Sequence, residues 1–180
     1  MALGVRDRSA TERDVFGLWR TYRGRRAAAS QIIPLVDGTR LRLGNVPDTA
    51  WRDPYVIGFL GMLITFVATR STGPLDTDDL AAVQAGAWTD ITGMPGDVVG
   101  EEICFLSVSN DNRFIVGCRN AESFVRALDT VGQQGEQLGE ASAISLPADR
   151  EARSALWSRY FDAQLTEPSS VETDQHELGS

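Results

Sequence analysis

Apolar residues in this chain recur mostly at spacings of three and four, the period of a helix with one buried face. The clearest case follows Asn110 and Asp111, either of which can cap it. There Phe114, Cys118, Ala121, Val125 and Leu128 step by four, three, four and three. A second stripe runs through Leu80, Val83, Ala87, Trp88 and Ile91, with Asp76 or Thr77 as its cap and Asp78 and Asp79 set against the helix dipole. Near the N-terminus Ser9 and Glu12 have the spacing of a capping box, and Val15, Leu18, Trp19 and Tyr22 then share one helical face. Pro147 suits the first turn of a last helix, with Leu156, Tyr160 and Ala163 on one side and Trp157 and Phe161 beside them. Between these, Val99, Ile103 and Leu106 favour a helix over a strand, because Glu101 and Glu102 start a strand poorly.

The longest apolar run, Pro54 to Thr69, is closed by Asp53 and Arg70 and spans sixteen positions. A membrane-spanning helix needs ~20, so the run predicts a buried central helix and no membrane span. Gly58 and Gly61, with Thr65 and Ala68, leave it a smooth flank that another helix can approach closely.

One stretch breaks the helical period. Asp37-Gly38 is a hairpin turn signal and "TRLRL" alternates with period two, which predicts a small β-hairpin near residues 31–43; Pro34 confines its first arm to an edge. Residues 131–142 are polar and rich in glycine and predict a loop. The expected fold class is mainly all-α, a compact bundle of five or six helices. Its expected parts are a basic arm (1–52), a helical core domain (53–165) and a disordered acidic tail (166–180).

Charge sharpens that division. All seventeen basic residues are Arg, and the net charge is −8. Residues 1–52 hold ten Arg against five acids, and the rest hold seven against twenty. A basic arm of this kind meets an anionic partner or folds back on its own acidic body. The N-terminal residues have no apolar leader, and Cys104 and Cys118 sit in apolar patterns as buried reduced thiols, so a cytoplasmic home is expected.

The inventory excludes more chemistry than it suggests. The single histidine, His176, lies in the polar tail, which argues against Ser-His-Asp, Cys-His and His-ligated metal sites. Without lysine there is no Walker-type phosphate loop, Schiff base or ordinary kinase site, and no dinucleotide-binding glycine motif is present. Glu101, Glu102 and Cys118 are the residual catalytic candidates, unless a partner chain supplies missing groups. No catalytic residue, metal or cofactor is therefore expected.

The remaining signal is the arm. Trp19, Arg20, Tyr22, Arg23, Arg25 and Arg26 combine the residue types that dominate binding hot spots. They predict a non-catalytic adaptor, assembly or regulatory protein that binds another protein or its own oligomer. The alternative is a nucleic-acid-associated protein whose Arg20, Arg23, Arg25 and Arg26 contact phosphates, although a net of five positive charges is modest for that role.

Overall fold

The protein is described here from a computed structural model, which covers residues 8–137 and 145–166 and the side-chain environments of 16–131 and 150–166. Among the described residues six longer α-helices make up the fold: α1 (Arg8–Leu43), α2 (Pro54–Thr72), α3 (Thr77–Thr92), α4 (Gly96–Val108), α5 (Asn112–Gln137) and α6 (Ser145–Trp157). A short 3₁₀ turn (Ala50–Arg52) precedes α2. A π-turn (Ser158–Asp162) and a last helical turn (Ala163–Thr166) follow α6. The all-α bundle expected from the hydrophobic period is what the structure shows. The acidic tail falls outside the described residues from position 167 onward.

Helix α2 is the centre. Asp53 caps it by accepting the Tyr55 amide at 2.8 Å, and Pro54 occupies its first turn. Ten of its nineteen residues are buried, including Tyr55, Phe59, Leu60, Leu63 and Ile64. By length and composition α2 is apolar enough to cross a membrane, yet more than half of its apolar window is covered by the protein's other helices.

The most extensive pairing in the fold is α2 against α5. Its geometry is set by two glycines. A Cβ on Gly58 would collide with the Phe114 carbonyl of α5, and a Cβ on Gly117 would collide with the Tyr55 carbonyl of α2 and stand 2.9 Å from the Phe59 amide nitrogen. The two backbones therefore touch directly. That approach brings Phe59 into an aromatic cluster with Phe124 (ring centroids 5.9 Å apart), Trp157 (5.7 Å) and Phe161 (5.5 Å), all of them buried.

Residues 31–43 are helical. The expected hairpin does not form, because Ile32, Val36 and Thr39 continue the buried face begun by Ala28 at spacings of four, four and three. Burial on the core outweighs the local turn signal of Asp37-Gly38. The alternation in "TRLRL" buries nothing, since Leu41 and Leu43 are exposed, and Pro34 faces solvent, where water can serve the carbonyl its ring leaves unpaired. The glycine-rich segment likewise extends α5 as far as Gln137 rather than opening a loop at 131.

A buried polar knot ties the end of α1 to the π-turn. Asp162 accepts from Thr39 Oγ1 (2.5 Å), Arg42 Nε (2.7 Å) and Ser158 Oγ (2.8 Å), while Trp157 Nε1 donates to Thr39 Oγ1 (2.8 Å). Every oxygen and donor in the knot has a partner, which offsets the desolvation cost of burying the carboxylate.

Four variants test these supports. Gly58→Ala and Gly117→Ala should each cost ~1–3 kcal/mol or more of unfolding free energy through overpacking. Gly100→Ala, at a helical position where a Cβ meets nothing within 4 Å, should instead stabilise by ~0.5–1 kcal/mol. Asp162→Ala should cost ~2–4 kcal/mol, because Thr39, Ser158 and Arg42 lose their acceptor together. Urea unfolding followed by circular dichroism reads all four.

Candidate functional interface

The N-terminal half of α1 packs on α3, and it does so through its smallest residues. Gly17 lies against Asp79 of α3. Thr21 Oγ1 donates to Asp79 Oδ1 at 3.0 Å, and a Cβ on Gly24 would stand 3.2 Å from Val83 and 3.3 Å from Ala68. Ala28 continues the same face into the core. Small residues let the helix backbones approach closely, and α3 is held ready for that contact by Asp76, which caps it by accepting from the Asp79 amide at 2.8 Å.

This placement turns the aromatic residues outward. Phe16 is 67% exposed, Leu18 72%, Trp19 54% and Tyr22 61%. The face shared by Leu18, Trp19 and Tyr22 is thus not the face that α1 buries.

The arginines divide into two groups. Arg25 extends over Gly86 of α3, where any Cβ would lie 2.7 Å from its Cδ, and forks onto Asp90 with Nε at 2.7 Å and Nη2 at 2.6 Å. Arg20 donates to the carbonyl of Pro74. Arg25 thus holds α1 on α3, and Arg20 ties it to the connection that precedes α3. Arg23 and Arg26 stay on the outward face: the Arg23 guanidinium stands 5.3 Å from the Trp19 ring centroid, and Arg26 Nη1 donates to the Tyr22 hydroxyl at 3.2 Å. Trp19, Tyr22, Arg23 and Arg26 therefore form one surface with Phe16, a residue that sequence spacing alone left out. Its position one turn ahead of Trp19 was the available signal.

The residual catalytic candidates do not assemble. Glu101 is exposed on α4, and Glu102 lines a shallow hollow of about 280 Å³ with Trp51, Trp88 and Met94. Cys118 is half-buried on α5, and burial pushes its thiol up from the ordinary value, away from the thiolate that chemistry would need. Cys104, expected to be buried, is exposed because it lies on the outer side of α4. Among the described residues no hydrogen bond joins these groups, and no three His, Cys, Asp or Glu side chains gather as metal ligands would.

A larger groove of about 470 Å³ lies where α1, α2, α5 and α6 meet. Its floor is apolar, with Leu63, Phe66, Val67 and Phe124, and its rim carries the Arg70–Asp129 ion pair. That pair satisfies itself, with both of its hydrogen bonds made inside the fold (2.9 and 2.5 Å). Comparison of the chain with protein families, curated proteins and solved structures finds no match, so the outward face of α1 is read from its own geometry.

The Arg25–Asp90 fork has a signed pH dependence. Hydrogen bonding from Arg25 holds the Asp90 carboxyl below its ordinary value. A carboxylate lowered in the folded state contributes stability above its unfolded pKa of ~3.9, and that contribution is lost as pH falls through the folded value. Both side chains are partly exposed, so the contribution is screened to ~0.5–1 kcal/mol. Asp90→Asn should lower the melting temperature at neutral pH by ~1–4 °C, and the difference from the parent protein should vanish once acid protonates Asp90.

Proposed function

We propose that this protein is non-catalytic and works by binding another protein, as an adaptor, assembly or regulatory component, through the outward face of α1. The observation that carries the reading is that Phe16, Leu18, Trp19 and Tyr22 are each more than half exposed on a helix whose other side is tightly packed. Large apolar side chains held on a rigid element mark interaction surfaces, and aromatic and Arg residues supply most binding energy where they occur. Between Asp14 and Asp37 the chain has no acidic residue, so Arg23 and Arg26 give the face a positive edge. Its best partner is an apolar helix or groove with acidic residues beside it.

The same arrangement weighs against the nucleic-acid alternative. Of the four arginines in that reading, Arg20 and Arg25 make contacts within the fold, which leaves Arg23 and Arg26 for phosphates on a protein of net charge −8. Two phosphate contacts release few counterions and give weak binding.

Two measurements test the reading. A photo-crosslinking amino acid at position 19, in cells making the protein, should yield a discrete protein adduct that Tyr22→Ala/Arg23→Ala removes; a crosslinker at exposed position 126 should not. Adducts identical at both positions would overturn it. Titration with a mixed-sequence duplex and a single strand should show no binding at ~0.15 M salt. Tight, steeply salt-dependent binding that is lost in Arg23→Ala/Arg26→Ala would establish the alternative instead.

A further inference from the structure

The surface that suits the outward face of α1 is present on the protein itself, on α4. Its inner side buries Val99 and Leu106. Its outer side carries Val98 (50% exposed), Phe105 (67%) and Val108 (83%), with Asp97 and Glu101 exposed among them. Residues 98, 101, 105 and 108 fall on one helical face at i, i+3, i+7 and i+10. The helix holds three acids, Asp97, Glu101 and Glu102, and no base.

On α1, Phe16, Trp19, Arg23 and Arg26 have the same i, i+3, i+7, i+10 spacing. The two stripes therefore share one length, ~15 Å at 1.5 Å per residue. Their chemistry also matches over most of that length. Laid antiparallel, Phe16 meets Val108, Trp19 meets Phe105 and Arg23 meets Glu101, while Arg26 falls on Val98 beside the exposed Asp97. Parallel pairing would set Arg23 against Phe105 and Arg26 against Val108, which wastes both the charge and the apolar contact. A chain cannot make this contact with itself, because α1 packs on α3 by its opposite side and turns the aromatic stripe away from its own body.

We propose that a second copy of this chain is the occupant: the outward face of α1 docks antiparallel on the outer face of α4 of the next copy. The inference rests on α1 being a protein-binding surface and adds what it binds. The contact is heterologous, since each copy offers a different surface on each side, so copies add head to tail into a ring or an open chain. A single helix pair falls below the ~1,200 Å² of a standard stable interface, so the contact is weak and reversible, to be sought at roughly 10–100 µM protein, and is lost at high salt.

The experiment is sedimentation velocity on the full chain across that concentration range, with three comparisons. Trp19→Asp removes the α1 face and Phe105→Asp the α4 face. Both positions are exposed, so unchanged melting curves verify folding. Each variant alone should be monomeric. An equal mixture should form a heterodimer and nothing larger, because one intact α1 face remains to meet one intact α4 face. Arg23→Glu and Glu101→Arg should each weaken association about tenfold, and the chain carrying both should regain it. Association abolished by Trp19→Asp but untouched by Phe105→Asp would overturn the proposal in favour of symmetric α1–α1 pairing. A parent protein that stays monomeric throughout would overturn it too. A discrete adduct to a different protein from position 19 would then leave α1 as a binding surface for that partner alone.

Discussion

Two backbones meet with no side chain between them where α2 crosses α5, and the position of the other elements follows from that contact. Gly58 and Gly117 each remove the one atom that would hold the helices apart. Phe59, next in sequence to Gly58, is thereby brought against Phe124 and the ring pair Trp157 and Phe161, whose centroids lie 4.5 Å apart. The π-turn after α6 is positioned in turn by those rings, and through Asp162 it fixes the far end of α1. Close backbone approach, aromatic packing and a satisfied buried carboxylate thus form one chain of dependence that runs from the middle of the bundle to its edge.

Much of this was legible in the sequence. The glycine-bearing flank of α2, the stripe of α5 and the Asp76 cap of α3 are local patterns, and local physics decides them. The hairpin expected at residues 31–43 failed for the opposite reason. Asp37-Gly38 is a strong turn signal only while the neighbouring residues have nothing better to do, and Ile32, Val36 and Thr39 are buried by continuing a helix. The polar knot was not legible at all, because Thr39 and Asp162 are 123 residues apart and neither stands out in its own neighbourhood.

The outward face of α1 teaches a narrower lesson. Leu18, Trp19 and Tyr22 look like a buried stripe when apolar size is the guide. The face that packs is Gly17, Thr21, Gly24 and Ala28, whose spacing of four, three and four is equally periodic. Small residues bury less area each, yet they admit a second backbone where large ones cannot, and with α3 so close the large residues had to go elsewhere. Among the arginines, sequence could not separate the two fates. Arg25 is set apart from Arg26 by Gly86, a residue sixty positions away whose missing Cβ leaves room for one guanidinium and not another.

The fixing of α1 by Arg20, Arg25 and Thr21 has a consequence for time as well as for shape. The aromatic face is carried on a helix that is already folded and already tethered through Arg20, Thr21 and Arg25. A partner of the kind proposed would meet it in its final form, so little ordering entropy would be paid on contact. Arrival, and not rearrangement, would then set the pace of such an association: the encounter rate would follow diffusion and the pull of Arg23 and Arg26, and the lifetime of the complex would be decided by how fast Trp19 and its neighbours let go.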